Sequence, residues 1–470
     1  QSTMTGVHME ANTIFVQIAS YRDPQLIPTL NDLIENAAHP ENLHICVCWQ
    51  HSDEDEAIDV FLDAGFIPLG YEHPDDKEYV RITFDRDGTK LSVLDIDFND
   101  TEGACWARYQ IQTFYEGEKY TLQLDSHHRF VENWDDVSIS MLESVRDESP
   151  KPVLTAYIPS FDPDNDPEAR VQVPWKMDFD RFIPEGAVFF RPSTMEDWKE
   201  RDKPMRSRFY SAHFCFADGS FVEDVPHDPE YFFHGEEISI AVRAYTCGYD
   251  LYHPHALIAW HEYTRSYRTK VWDDHTTPAK NSGKIKLDWV ERNNLCHRRN
   301  RILFGMDGEE SNQIDFGVFG FGTERTVHEY EEYAGISFEY RGVQQQTLDK
   351  EEPPNKFEYT SEGEWVNSFA RSNDVHVVVH RDEIEGLFDE DGNMLDDLSF
   401  AYVGTHDVND DEVYRKDLDR DALYAELNKE NGFVEYRLIF LSAKRPESFT
   451  FWPHSESKGW LNKITKTLDY

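Results

Sequence analysis

Asp125-Ser126-His127 sets a carboxylate and an imidazole two residues apart, directly after the apolar run Tyr120-Thr121-Leu122-Gln123-Leu124. Past a strand end, both side chains can face one cation. A hard oxygen beside an imidazole suits Mn²⁺, and less readily Mg²⁺. Such a triplet is also what an ordinary strand-end turn produces, so other residues must decide. His234-Gly235-Glu236-Glu237 supplies an acidic pair behind a glycine at a helix start, with Arg243 further along. Trp260-His261-Glu262-Tyr263-Thr264-Arg265 adds an imidazole at another strand end and, with Arg268, two cations. Asp125, His127 and His261 as metal ligands, a carboxylate pair and arginines together fit a nucleoside diphosphate held through a divalent cation. His128 points away from His127 on a strand, so the D-x-H spacing selects His127 as ligand.

Particular elements must deliver these residues. Thr13 to Ala19 reads as a buried strand that ends at Ser20-Tyr21-Arg22-Asp23-Pro24. Leu26, Leu30, Leu33 and Ile34 then recur at helical spacing, and Leu43 to Trp49 forms the next strand. Strand, helix, strand is a βαβ opening, which predicts an α/β domain with largely parallel strands. A helix is expected near Gly103 to Tyr115, a strand over Tyr120 to Leu124 and a helix over Ile238 to Tyr245. Ligands of open α/β sheets sit beyond the carboxyl ends of the strands, where the Asp125 motif falls. Thr323 is a candidate N-cap for a helix reaching Ala334 and closed by Gly335. An acidic stretch with Pro353-Pro354 reads as a linker. Alternating segments at Val375 to His380, Ser399 to Val403, Phe433 to Leu441 and Ser448 to Trp452 predict a β-rich, sandwich-like accessory domain. The scheme is a catalytic domain over 11–345, a linker over 346–372 and the β-rich domain over 373–470.

At 470 residues the chain exceeds one compact core. Lys+Arg 46 against Asp+Glu 91 gives a net charge of −45, which repels phosphate backbones and anionic membranes. Neither nucleic acid nor membrane is expected as a partner, and an anionic ligand needs a local positive island or a metal. The six cysteines show no C-x-x-C pair and no dense framework. Cys46 and Cys48 share one strand face, as core. No stretch approaches the roughly 18 to 20 apolar residues of a membrane span, and no signal-peptide pattern opens the chain. A reducing, cytoplasmic setting is the expectation.

These motifs in this order resemble the GlcNAc-transferase family that modifies proteins on hydroxyproline, Ser or Thr (glycosyltransferase family 60) and, more remotely, the polypeptide GalNAc-transferases. The resemblance rests on Ile18-Ala-Ser-Tyr-Arg-Asp23, Cys105-Trp-Ala-Arg108, Leu122-Gln-Leu-Asp-Ser-His-His-Arg-Phe130, Ser211-Ala-His-Phe214, Gly235-Glu-Glu237 and Trp260-His-Glu-Tyr263. It continues through Gly320-Phe-Gly322 and Tyr330 to Ile336, covering roughly 12–340. It implies a GT-A (Rossmann-like) α/β fold, a UDP-sugar donor (UDP-GlcNAc), a divalent cation, a protein or peptide acceptor and retention of configuration. Carried over by position, Asp125, His127 and His261 are the metal ligands. Ser20, Arg22, Asp23, Gly103, Arg108, Asp125, Ser126 and Arg265 line the donor, with Asp23 toward uracil or ribose and Arg22 toward the diphosphate. Glu236 and Glu237 face the donor sugar and acceptor as the catalytic pair. The GalNAc-transferases carry Gly-Glu-Asn or Gly-Glu-Asp here, so Glu237 is a departure. Glu237 could also fill the role of the carboxylate base of an inverting reaction, so the residues alone leave stereochemistry open and the resemblance implies retention.

His213 and Trp134 are candidate acceptor contacts. Trp272, like Trp134, could stack on sugar or acceptor; a core histidine and packing tryptophans are the plain alternatives. Asp389-Glu-Asp-Gly-Asn393 reads as a hairpin turn rather than a calcium loop, lacking the closing glutamate. Cys296-His-Arg-Arg-Asn-Arg301 is a basic run fit for a solvated helix face or a phosphate. Three other functions remain open: the same transfer to a glycan or small molecule, a metal-dependent phosphoester hydrolase, and a non-catalytic carbohydrate-binding scaffold. The hydrolase would need a second metal, for which the sequence offers no second cluster.

Overall fold

In the computed structural model, which describes residues 11–264 and 270–469, two compact units separate. The first holds the described residues through Asp180, Glu185–Gly335 and Lys350–Lys356; the second holds Arg181–Pro184, Ile336–Asp349 and the described residues from Phe357 onward.

The first unit is α/β. Its strands run β1 (Ile14–Tyr21), β2 (Leu43–His51), β3 (Ile67–Glu72), β4 (Val80–Arg86), β5 (Thr89–Asp97), β6 (Tyr120–Asp125), β7 (His128–Phe130), β8 (Pro152–Thr155), β9 (Trp175–Phe182), β10 (Val188–Thr194), β11 (Met205–Arg206), β12 (Phe214–Asp218), β13 (Asp250–His253) and β14 (Ala259–His261). Ten form one sheet in the order β11-β13-β8-β12-β6-β1-β2-β5-β4-β3, while β9 pairs β10 and β7 pairs β14. The centre, β6-β1-β2-β5, is parallel, as the βαβ opening requires. The flanks are mixed: β12 is antiparallel to β6 and β8, and β4 is antiparallel to β3 and β5. Strands joined by a tight hairpin, such as β4 and β5 across Asp87-Gly88, can only pair antiparallel.

The central strands are apolar on both faces because helices cover both. Ile14, Val16 and Ile18 share a core with Leu26, Leu30 and Leu33 of the helix Leu26–Glu35. On the other face, Phe15, Cys46 and Cys48 pack with Ala107 and Ile111 of the helix Ala104–Gln112. The helix predicted from Thr323 instead spans Val327–Ala334. Thr326 caps it, accepting from the Glu329 N–H while Glu329 accepts from the Thr326 N–H, and Gly335 closes it at φ 69°.

The second unit is β-rich: β15 (Ile336–Ser337), β16 (Gly342–Gln344), β17 (Phe369–His380), β18 (Leu398–His406), β19 (Glu412–Arg415), β20 (Leu418–Asp419), β21 (Phe433–Ser442), β22 (Ser448–Ser455), β23 (Gly459–Trp460) and β24 (Ile464–Thr467). One sheet is β15-β16-β17-β21, and the other is built on β19-β18-β22-β23 with β20 and β24 attached. Val377 and Leu438 from the first meet Val403 and Phe451 from the second in one core, a sandwich-like arrangement. Within 346–372 lie the end of the helix Gln345–Leu348, the helix Glu362–Asn367 and the start of β17. Asp389 to Asn393 forms a turn whose Asp389 carboxylate accepts from the N–H groups of Asp391 and Asn393.

Candidate active site

Asp125 closes β6, and the parallel register puts it beside Ala19 of β1. Strands β2 and β6 flank β1 on opposite sides, so this edge is the switch point where open α/β sheets bind ligands. His261 arrives from the far end of the unit. The β7–β14 ladder pairs it with His128, and its backbone is fixed by His261 N to Pro159 O (3.0 Å) and Glu262 N to His127 O (3.1 Å). Asp125 Oδ2 thereby lies 3.1 Å from His261 Nε2 and 3.6 Å from His127 Nε2. One ligand atom from each of the three residues lies within 4.8 Å of the others.

Asp23 holds this group together. It is 3% exposed, and its Oδ2 accepts from Ser126 Oγ (2.5 Å) and His127 Nδ1 (2.8 Å). A carboxylate on one imidazole nitrogen aims the other, which is the usual support for a metal-ligating histidine. Burial would raise the Asp125 carboxyl, but the His261 hydrogen bond and the Arg108 charge hold it well below the carboxylate range. Burial drives His261 well below the usual imidazole range, so it is neutral and its nitrogen can ligate. One carboxylate and two imidazoles oriented in this way fit a hard to borderline divalent cation.

The acidic pair lines the same site. Gly235, at φ 89°, precedes the helix Glu236–Thr246, whose first turn carries Glu236 and Glu237 where the helix dipole favours negative charge. Arg108 Nη1 donates to both Glu236 oxygens (3.0 and 2.9 Å), and Arg108 Nη2 donates to Asp125 Oδ1 (2.9 Å). A single buried guanidinium therefore spans the carboxylates of both motifs. Cys105 Sγ also donates to Glu236 (2.7 Å), its thiol pushed well up by burial and by Glu236. Cys105, His227 and Glu236 form a second cluster of ligand-type atoms, but the Arg108 guanidinium already bonded to both Glu236 oxygens opposes a second cation. Glu237 accepts from Ala212 N (2.9 Å) and Tyr157 Oη (3.1 Å). Burial and the neighbouring Glu236 push its carboxyl up to about 8, so it carries a proton at neutral pH.

These groups line one cavity of about 510 Å³. Asp23, Arg108, Asp125, Ser126, His127, His213, Glu236, Glu237 and His261 all reach it. His213 stacks on His261 (4.0 Å, 11°) with Nε2 3.3 Å from Tyr263 Oη, and burial holds it well below the imidazole range. Four expected residues do not line it. Ser20 is buried. Arg22, expected at the diphosphate, is committed to Asp55 and Asp274 (both 2.6 Å). Gly103 sits one residue outside, where a side chain would strike the Phe232 ring. Trp134, expected at the acceptor, is fully buried, with Nε1 donating to Leu33 O (2.8 Å) and its ring against Phe130 (5.6 Å). That expectation is corrected: its helical face also carries Met141 and Leu142, so it is core. Arg265 and Arg268 lie outside the described residues.

Sequence reasoning missed the lining phenylalanines Phe189, Phe190, Phe232 and Phe233, together with Tyr157 and Lys270; Tyr263, from the Trp260-His261-Glu262-Tyr263 motif, lines the cavity as well. Trp272, expected either to stack on sugar or acceptor or to pack in the core, lines the cavity 5.5 Å from the Phe233 ring. The phenylalanines come from β10 and the loop before Glu236, segments with no motif in common, and Trp272 comes from the short helix Val271–Asp274.

The model of the family described as Glycosyltransferase (GlcNAc) matches residues 13–340. Among solved structures, GalNAc-T7 with UDP, GalNAc and Mn²⁺ is similar at 14% identity and TM-score 0.39, over 68% of this chain and 54% of that one. Staphylococcus aureus TarS 1-349 in complex with UDP-GlcNAc is similar at 10% identity and TM-score 0.32, over 62% of this chain and 73% of that one. The longer S. aureus TarS structure aligns over 97% of this chain and 86% of its own, at 9% identity and TM-score 0.31. The chain thus spans little more than half of GalNAc-T7. No curated protein sequence matches it.

Proposed function

The chain belongs to the GlcNAc glycosyltransferase family, and from that premise we propose that it moves N-acetylglucosamine from UDP-GlcNAc to a hydroxyl of a protein, on hydroxyproline, Ser or Thr, with a divalent cation and retention of configuration. The observation that carries this reading is the convergence of Asp125, His127 and His261 on one point of a cavity that Glu236 and Glu237 also line, with Arg108 bridging Asp125 and Glu236. Asp125, His127 and His261 would hold Mn²⁺, which when bound neutralises charge developing on the departing diphosphate.

The chain's own residues do the rest. Asp23 fixes the His127 ring, and Arg108 fixes Asp125 and Glu236 relative to one another. Lys270, on the same cavity, supplies an ammonium for the diphosphate. Trp272 and the phenylalanine wall exclude water and offer faces for sugar or acceptor. The acceptor oxygen bonds to the anomeric carbon as the sugar–phosphate bond breaks, and the acceptor proton passes to the departing phosphate oxygen. Glu237 supports retention over inversion, because a carboxyl protonated at neutral pH is no general base.

UDP release from a panel of UDP-sugars, with and without Mn²⁺, for wild type beside Asp125→Ala, tests the reading. Slow Mn²⁺-dependent hydrolysis of UDP-GlcNAc, lost in the variant, is expected. No turnover of any donor together with no Mn²⁺-dependent UDP binding would reject it.

A further inference from the structure

The outward face of a sheet normally alternates to polar residues. On β18, β22 and β23 it carries rings. The register sets Phe400 opposite His454 and His454 opposite Trp460, with Tyr402 opposite Trp452 in the next row. Ala401, Val403 and Phe451, between them in sequence, point into the core. Trp452 and Trp460 lie 4.3 Å apart, Phe400 and Trp460 5.3 Å, and His454 and Trp460 5.0 Å. Trp460 is 44% exposed on the two-residue strand β23, and Phe400, Tyr402, Trp452 and His454 are partly exposed. The cations beside the rings lie on them: Lys463 4.7 Å from the Trp452 centroid and Arg415 4.7 Å from that of Tyr402. Cross-strand packing alone would bury such rings rather than leave the largest of them open.

We infer that this face binds a neutral saccharide chain. Charge and size select that occupant. A chain at −45 repels polyanions, and the Glu412 carboxylate, which accepts from the Tyr402 hydroxyl (2.7 Å), adds a negative charge at the rings. Adjacent strands lie about 4.8 Å apart and alternate residues about 6.8 Å apart. The platform therefore rests on Cα positions spanning about 10 by 7 Å. That is several-fold below the ~800 Å² per partner of a stable protein interface. Flat apolar ring faces edged by hydrogen-bonding groups match a sugar ring, whose faces are C–H and whose rim is hydroxyl. The Ser399 Oγ to His454 Nδ1 hydrogen bond (2.6 Å) fixes one such rim group.

The test is calorimetric titration of the whole chain with neutral hexasaccharides: chitohexaose, cellohexaose, maltohexaose, xylohexaose and mannohexaose. At least one is expected to bind, equally well to Asp125→Ala. Trp460→Ala is expected to weaken it about tenfold or more without shifting the thermal melt. Hydrogen exchange mapped with the bound sugar guards against a misfolded variant, and slowing within 398–406 and 448–460 is expected. No binding by any of the five would overturn the inference, as would slowing confined to the donor cavity. Self-association in sedimentation that Trp460→Ala abolishes would overturn it in favour of a second copy of the chain.

Discussion

Glu237 is the residue through which pH enters the proposed chemistry. Its carboxyl is raised from 4.5 to about 8, chiefly by burial and then by Glu236. Between those values the folded chain keeps a proton that the unfolded chain has lost, so this group's stabilisation is full below about 4.5 and fades as pH climbs to about 8. Glu237→Gln, whose amide copies the protonated acid, should therefore flatten the fall of the thermal midpoint across that window. Wild-type transfer should decline above about pH 8 while the Gln variant keeps a flat profile there, and Glu237→Ala should be slow throughout. A wild-type rate rising through pH 8 would make Glu237 a base and point to inversion. The metal ligands give a second prediction. Asp125→Ala and His261→Ala should abolish Mn²⁺-dependent turnover with little change in melting. Asp23→Ala, which removes the support of His127 and the Ser126 hydrogen bond but no metal ligand, should weaken Mn²⁺ by about 10- to 100-fold. Titration of Mn²⁺ into each variant separates these cases.

Among elements, the helix Ala104–Gln112 has the most exacting placement. It starts at Gly103, whose φ of 104° strains any side chain and whose Cβ would come within 2.5 Å of the Phe232 ring. From that start the helix delivers Arg108 to Asp125 and Glu236, while Phe232 lines the cavity. Gly103→Ala should cost about 1–3 kcal/mol and raise KM for the donor, because the ring must move. Gly117→Ala is the control: its φ is 88° but nothing lies within 4 Å, so it bears only the backbone strain. Equal losses of donor KM in the two variants would mean that the Phe232 contact does not shape the cavity.

For the whole molecule, charge dominates. A donor diphosphate must approach a chain at −45, so salt should help binding rather than weaken it. Raising KCl from about 0.1 to about 1 M shortens the Debye length from ~10 to ~3 Å, and donor KM should fall as thermal stability rises. A KM that climbs steadily with salt would show instead that local cations such as Lys270 outweigh the global field. Among the described residues no helix is long and apolar enough to cross a membrane.

The sequence alone determined what depends on neighbours along the chain. The doubly apolar strands at Ile14–Tyr21 and Leu43–His51, the helix between them, the D-x-H at a strand end and the helix behind Gly235 follow from local period and steric rules, and all stand in the structure. It also distinguished two tryptophans poorly, since Trp134 and Trp272 differ in surroundings rather than in local pattern. Tertiary structure decided the rest. Asp23, a donor contact by position, turned out to brace His127; Arg22 turned to Asp55 and Asp274; and Arg108 came to bridge carboxylates at 125 and 236. The raised carboxyl of Glu237 likewise exists only once the fold buries it beside Glu236, which outweighs the opposing hydrogen bonds from Ala212 and Tyr157. Hydrogen bonds and desolvation act over a few ångströms of space, and only the folded sheet brings residues so far apart in sequence within that range.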